Sequence, residues 1–479
     1  MKSLAKNSVF NLGYTLLNML FPLITSMYVS RVLMPDGVGK VAYAQATVSY
    51  FQMFAILGIQ QYGLREMAKI RTQNDEKSKL YTQLICFNGI TTTISLLIYI
   101  LLILGSDYMQ EELPLYFACG IVIFWNYFNV DWLFQAEEEY VYIVLRNAVI
   151  KIASIITMLI LVKDKSDYIA YAWITGLASG GNHLITFLNS RKFVYFCFAD
   201  FGFKKHCKPI FLLGIGMMAA TIYHKIDVTM LGILATEEHV GYYTYAHKIV
   251  DLVVSVSAAI TSVFLPRLCF LYNKDKGKFL QVLENGLQIV TFLSFPMAAG
   301  LLILAPQIIQ VLFGKSFLPA ADVLRIFSII ILIKSFGDLL CYQLGICTNQ
   351  DKLRIPAACL ASSVNVVLNL VLIPILQEIG AAIASVASEL IVNAYQFWVL
   401  RRIVKIPLRI KPFLQACVST AIMSLCVIFV TRLIKNHILS VIIAIICGIL
   451  SYFIVNLVMQ NTLLQAAIAK LRERFGRRW

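Results

Sequence analysis

The 479-residue chain carries 41 Lys and Arg against 26 Asp and Glu, a formal net charge of +15, yet only 14% of it is charged and 59% is hydrophobic. A soluble domain averages roughly 25% charged and 45–50% apolar residues. With a mean hydropathy of +0.76, the composition excludes a soluble enzyme, a disordered chain and a nucleic-acid binder with a solvated basic patch, and it points to an all-α polytopic membrane protein.

A bilayer core takes about 20 apolar residues per helix. Runs of that kind predict about fourteen transmembrane helices, near 9–30, 41–63, 82–104, 114–133, 147–162, 168–188, 209–232, 241–264, 285–306, 321–343, 357–376, 379–400, 413–434 and 438–459. The fifth is short and interrupted by Lys151, so a count of twelve stays open. The opening MKSLAKNSVF leads into an apolar stretch too long for a signal-peptide core and shows no small-residue cleavage site. It is expected to remain as the first helix.

The segments between these runs are strongly biased in charge. One set, from Lys2 and Lys6 to the tail with Lys470, Arg472, Arg474, Arg477 and Arg478, holds 29 Lys and Arg, whereas the opposite set holds 7. The remaining five lie inside spans: Lys151, Lys225, Lys248, Arg325 and Lys334. The positive-inside rule therefore predicts a multi-pass protein of the cytoplasmic (inner) membrane with both termini cytoplasmic. The excess charge reads as attraction to the anionic inner leaflet, with no nucleic-acid partner. Outer connections are short, the longest about 307–320, which leaves no room for an external catalytic domain. Eleven Cys occur singly, and Cys197, Cys207, Cys269 and Cys347 fall in cytoplasmic loops. They are expected to act as small hydrophobes, without a disulfide framework, metal site or cofactor.

Val38-Gly39-x-x-x-Tyr43-Ala44 matches Val240-Gly241-x-x-x-Tyr245-Ala246 at an offset of 202, and QAEEEYVY at 135–142 aligns with CTNQDKLR at 347–354 at an offset of 212. This predicts a parallel repeat: a six-helix lobe at 1–208, a second at 209–412, and two further helices with a basic cytoplasmic tail at 413–479. A chance match of common membrane residues is the alternative. Gly39 and Gly241 are expected to let the chain turn tightly, and Tyr43 and Tyr245 to sit near the membrane interface.

YHKIDVTMLGILATEEHVGYYTYAHKIVDLV, the VFLPRL that ends the eighth span, and NVVLNLVLIPILQEIGAAIASVASE across the eleventh and twelfth resemble the polysaccharide transporter family. These are the Wzx-type flippases of lipid-linked oligosaccharides, in the superfamily of the MATE exporters and MurJ lipid II flippases. The resemblance runs from SLAKNSVFNLGYTLLN through the twelfth span and marks the family without fixing one sugar. It implies a two-lobed helical transporter, working by alternating access and not an enzyme, that moves polyprenyl-diphosphate-linked oligosaccharide units of the O-antigen, capsule or exopolysaccharide type. Expected partners are that lipid-linked oligosaccharide and membrane lipids, with a glycan polymerase and a chain-length regulator as candidates.

A charge at the bilayer centre costs at least about 2.5–3.5 kcal/mol, so each must be paired, interfacial or functional. Spans one and two carry none, whereas seven and eight carry Lys225, Asp227, Lys248 and Asp251. In the eighth, Tyr245, Lys248, Asp251 and Ser255 share one helical face; in the seventh, Thr221, His224 and Asp227 do so. The tenth adds Arg325 and an i,i+4 pair, Lys334 and Asp338, and Glu389 lies near the middle of the twelfth. Lys225, Lys248, Arg325 and Lys334, with Tyr245, are the candidate substrate-binding residues, since cations in a partly dehydrated cavity attract a diphosphate. Asp227, Asp251, Asp338 and Glu389 are candidates either for coupling to an ion or for internal pairing, and the Lys334–Asp338 pair is open between the two.

Lys151 is expected to snorkel to headgroups, and Asp131 and Asp322 to be interfacial. His224 reads as a satisfied polar residue. Tyr14, Asn18, Tyr43, Gln45 and Tyr50 read as ordinary helix contacts rather than sugar ligands. Pro22, Pro296 and Pro374 permit bending. Protons, sodium, membrane potential and the substrate gradient all stay open as drivers. A MATE-like exporter would carry an acid in the first lobe and a lipid II flippase charges in the first helix, and Val9 to Ser30 holds neither. Those two and an integral glycan polymerase are the alternatives.

Overall fold

The computed structural model describes residues 4–199, 201–407 and 409–465, with side chains from residue 21 onward except that of Asp351. Lys2, the side chains of Lys6, Tyr14 and Asn18, and the tail with Lys470, Arg472, Arg474, Arg477 and Arg478 lie outside the described residues. Hydrocarbon offers no partner for backbone amides, and helices satisfy their own. Accordingly the described chain is helical, without a strand.

In order the helices are α1 (Leu4–Ile56), α2 (Ile59–Lys69), α3 (Asn74–Gly105), α4 (Asp107–Glu111), α5 (Leu113–Trp125), α6 (Asp131–Ala136), α7 (Tyr140–Leu161), α8 (Tyr168–Ser190), α9 (Lys204–Leu234), α10 (Glu237–Ser262), α11 (Leu265–Lys274), α12 (Lys276–Phe313), α13 (Ala320–Gly337), α14 (Leu344–Cys347), α15 (Arg354–Leu400), α16 (Ile410–Leu433) and α17 (His437–Val458). Eight helices among the described residues are long and apolar enough to cross a membrane. α15 has 47 residues, about 70 Å at 1.5 Å each against a hydrocarbon core of about 30 Å. It is broken at Gln377 (φ 51°), just after Pro374, so that the eleventh and twelfth runs share it. α1 holds the first two runs and breaks at Met34 (φ 61°), next to Pro35.

The chain forms two compact units, Met1–Gly241 and Tyr242–Trp479. In the first, α1, α3, α5 and α8 enclose Val48, Tyr99, Tyr116 and Ile123. A second cluster there joins Tyr62, Met67, Tyr81, Trp132 and Phe134. In the second unit, Leu268, Leu283, Leu339 and Leu344 form one core, and α16 and α17 pack on α12 through Leu304, Met423, Val427 and Tyr452.

The same backbone turn recurs in both. After α6, the amides of Glu137, Glu138 and Glu139 donate to the carbonyls of Leu133, Gln135 and Phe134, with Glu138 left-handed (φ 57°). After α14, Thr348, Asn349 and Gln350 donate to Leu344, Ile346 and Gly345, with Asn349 left-handed (φ 56°). Each residue of the second turn is 211 positions beyond its counterpart, and the pattern satisfies the last carbonyls of both helices.

Two expectations need correction. Gly39 and Gly241 do not make turns, for both lie inside helices. A Cβ on Gly39 would fall 1.7 Å from the Glu237 carbonyl oxygen, and one on Gly241 would fall 2.4 Å from that of Pro35. The two glycines permit a close backbone approach of α1 to the start of α10. Tyr43 and Tyr245 are buried within the protein, Tyr43 packing against Gly232 of α9. Cys269 and Cys347 are joined in a disulfide, because Leu268 on α11 and Leu344 on α14 enter one core and bring the cysteines' Cα atoms to 4.4 Å.

Gly39→Val should lower the melting temperature of the purified protein, since overpacking a tight contact costs about 1–3 kcal/mol. Gly89→Val, at a site with open space around it, is the matched control and should melt near the unmodified protein.

Candidate functional site

A polar seam runs through the second unit where α10, α13 and α15 meet. Near one end Tyr243 and Ser385 share a hydrogen bond of 2.9 Å, and His247 packs edge-on against Phe327. Further along, Lys334 Nζ lies 3.2 Å from Glu389 Oε1, with both side chains largely buried. Ser257 donates to Ser335 at 2.7 Å. Beyond it Asp338 Oδ2 accepts from Thr261 Oγ1 and, at 3.0 Å, from Gln343 Nε2.

The i,i+4 pairing of Lys334 with Asp338 is therefore not made. Asp338 opens a π-helical stretch, Asp338–Gln343, and its carboxylate is taken up by Thr261 and Gln343. Lys334 reaches across to α15 instead. Asn393 Nδ2 donates to the Glu389 carbonyl at 2.8 Å.

Two further groups sit on α10. Tyr245 is 1% exposed, stacked on Phe317 at 4.9 Å and edge-on to Phe313 at 4.6 Å. Lys248 Nζ stands 4.3 Å from its ring centroid, so the ring is a seat for the ammonium. Asp251 Oδ2 is 2.9 Å from His247 Nδ1. The sequence reading passed over His247, although its i,i+4 spacing to Asp251 was the signal. Arg325 forms an exposed pair with Asp322 at 2.7 Å.

In the first unit Lys225 is exposed on α9 and Asp227 is buried, close to a hydrogen bond of 2.8 Å between Tyr50 and Thr229. Gln45 contacts Thr175 at 3.4 Å. Lys151 Nζ lies 5.0 Å from the Phe21 ring centroid. Asp131 is paired: Arg146 Nη1 is 3.1 Å from its Oδ1, Thr186 donates to the same oxygen, and His183 lies 3.7 Å away. Arg146 escaped notice because α7 begins at Tyr140, ahead of the apolar run, and so takes the arginine inside. Asn365 and Asn369, buried one turn apart on α15 and hydrogen-bonded at 3.0 Å, were also missed. Among the described residues no three His, Cys, Asp or Glu gather as a metal site.

A family model described as "Polysaccharide biosynthesis protein" matches residues 4–270. The "Putative O-antigen transporter" of Escherichia coli (strain K12) is 23% identical over 406 residues, covering 83% of this chain and 97% of that one. The "Probable low-salt glycan biosynthesis flippase Agl15" of Haloferax volcanii is 25% identical over 248 residues, 51% of this chain and 52% of that one. The solved structure of lipid II flippase MurJ in an inward closed conformation aligns with a TM-score of 0.75 and 17% identity, covering 95% of this chain and 99% of that one. An inward-facing MATE multidrug resistance transporter aligns with a TM-score of 0.63 and 15% identity, over 82% of this chain and 98% of that one. These two likenesses show a shared polytopic helical fold.

Lys334→Met should destabilise the protein by about 3–5 kcal/mol, because it strands the Glu389 carboxylate. Lys334→Met combined with Glu389→Leu should regain most of that loss in thermal melts. A double variant as unstable as the single one would mean that the pair is not what holds α13 to α15.

Proposed function

The chain belongs to the polysaccharide biosynthesis protein family, and from that premise we propose that it is a flippase. It carries polyprenyl-diphosphate-linked oligosaccharide repeat units from the inner to the outer leaflet of the cytoplasmic membrane by alternating access. The observation that carries this reading is the match over 97% of a protein named as an O-antigen transporter. No covalent bond is made or broken, so the protein is not an enzyme. Both termini face the cytoplasm, the chain crosses about fourteen times, and the repeating lobes are 1–208 and 209–412 with 413–479 appended.

The chemistry of such a substrate matches the cations on the page. A diphosphate is best held by charge-assisted hydrogen bonds in a partly dehydrated site. Lys248, seated on Tyr245, and Lys225 are candidates to supply them. Arg325 and Lys334 have carboxylate partners in this conformation, so they would meet an anion only by exchanging those partners, which suits a site that opens and closes. A glycan polymerase and a chain-length regulator would act on the unit after it reaches the outer leaflet.

Deleting the protein should make lipid-linked repeat units accumulate on the inner leaflet, read with labelled sugars and a probe confined to the outer surface. Units that reach the outer leaflet but stay unpolymerised would reject translocation. Separately, Lys248→Ala should abolish surface glycan with protein abundance unchanged, and normal glycan in that variant would remove Lys248 from the substrate path.

A further inference from the structure

The disulfide between Cys269 and Cys347 lies in segments that the charge bias puts in the cytoplasm. Arg267, Lys274, Lys276 and Lys278 surround the first cysteine, and Lys352 and Arg354 follow the second. The cytoplasm keeps thiols reduced through glutathione and thioredoxin-type dithiols, and a disulfide formed there is transient or redox-sensing. On this side of the membrane the bond has to be one of two states.

The structure accommodates both. Apolar packing sets the approach of the two cysteines: Leu268 and Leu271 of α11 share a core with Leu344 and with Cys347 itself. The sulfurs therefore stay opposite each other when the bond is open. Cys347 Sγ lies 3.8 Å from the Leu265 carbonyl, which is an acceptor for the reduced thiol. Cys269 is half-buried and Cys347 is 6% exposed, so an oxidant in solution reaches Cys269 first and Cys347 is placed to resolve the product. Cys341, buried in the same core, is directed elsewhere, its Sγ 3.4 Å from the Asn393 carbonyl. The other nine cysteines are free.

The bond ties two long helices together at their ends. α11 follows α10 after one tight turn, in which the Phe264 amide donates to the Thr261 carbonyl at 3.0 Å. α14 follows α13 through the stretch Asp338–Gln343. α10 carries Lys248, and α13 carries Arg325 and Lys334. Closing the bond fixes the helices of these three candidate cations at one end, whereas opening it leaves only apolar contacts there.

We propose that Cys269 and Cys347 are a reversible thiol–disulfide switch on the cytoplasmic face, open in growing cells and closed by peroxide. The Cys269 thiol takes one oxygen atom from hydrogen peroxide, giving a sulfenic acid and one water. The Cys347 sulfur then attacks the Cys269 sulfur, the S–S bond forms, and a second water leaves. Two electrons pass from the thiols to the peroxide. A dithiol reductant of the thioredoxin class reverses the change by thiol–disulfide exchange, returning two thiols and becoming a disulfide itself. The closed form restrains α10 against α13 and slows export. The switch rests on the proposed orientation, and its effect on export rests on the flippase reading.

The test follows both cysteines in living cells by acid quenching, denaturation and differential alkylation with two isotopic forms of N-ethylmaleimide, read peptide by peptide. Both should be thiols during growth, joined after a short pulse of hydrogen peroxide, and thiols again once the peroxide is removed. Glycan export, read with labelled sugars, should fall severalfold during the pulse in the unmodified protein and hold in Cys269→Ser. A bond already closed in unstressed cells overturns the proposal, as do thiols that stay open under peroxide or an equal fall in export in Cys269→Ser. If Cys269→Ser does not accumulate, Cys347→Ser takes its place, and the thiol state of the unmodified protein needs neither variant. A membrane-impermeant maleimide applied to intact cells checks the orientation at exposed Cys207. Labelling of Cys207 from outside overturns the orientation and the switch together, whereas a protected Cys207 with a permanently closed bond overturns the switch alone. Accumulation of lipid-linked units in the deletion strain is read separately, so the flippase reading stands or falls without the cysteines.

Discussion

A chain immersed in hydrocarbon has no water to fall back on, so each backbone amide and each charge must find its partner within the protein. The helices are the backbone's answer, and every break in them needs a local remedy. The remedies are visible: left-handed turns that satisfy the last carbonyls of α6 and α14, and an asparagine network that fills the gap after α5. Charges obey the same constraint. Lys40 meets Glu112 at 2.7 Å, with Tyr168 donating to the other carboxylate oxygen at 2.8 Å. Arg146 meets Asp131, and Lys334 meets Glu389.

The two halves of the described chain share one backbone turn and carry two chemistries. Both have a short helix after the second and eighth runs, a broken fourth helix and the same capping turn. In the first half the break is filled by neutral amides and its neighbouring acid is matched by an arginine. In the second, Asp338 accepts from Thr261 and Gln343, and at the offset of 211 the positions of Asp131 and Arg146 are held by Tyr342 and Ala357.

The apolar runs were legible because bilayer thickness imposes them on the sequence directly. Gly39 and Gly241 were legible as a matched pair, but their role was not, since glycine serves tight turns and close helix approach equally well and only the helical backbone tells them apart. The four candidate cations and four candidate acids were found by type, yet their pairings were not. Spacing places Lys334 and Asp338 within reach of each other but says nothing of competing partners, and Glu389 takes the lysine while Thr261 and Gln343 take the aspartate. Arg146 was hidden because α7 extends past its apolar segment. Cys269 and Cys347, 78 residues apart, carry no local signal of meeting; only the packing of α11 and α14 on a common core brings them together.

The charged seam between α10, α13 and α15 is a poor way to gain stability. A buried ion pair often does no better than apolar residues of the same volume, because desolvation offsets the attraction. Its value lies in being conditional. Lys334 bound to Glu389 fixes one register of α13 against α15, and an anion competing for the lysine removes that fixation at a cost the new contact can meet. Apolar packing offers no such exchange, since no ligand competes for a leucine. A junction that has to hold in one state and yield in another is better built from a lysine and a glutamate, even at some expense in static stability, and the seam lies on the same helix as the aromatic seat of Lys248.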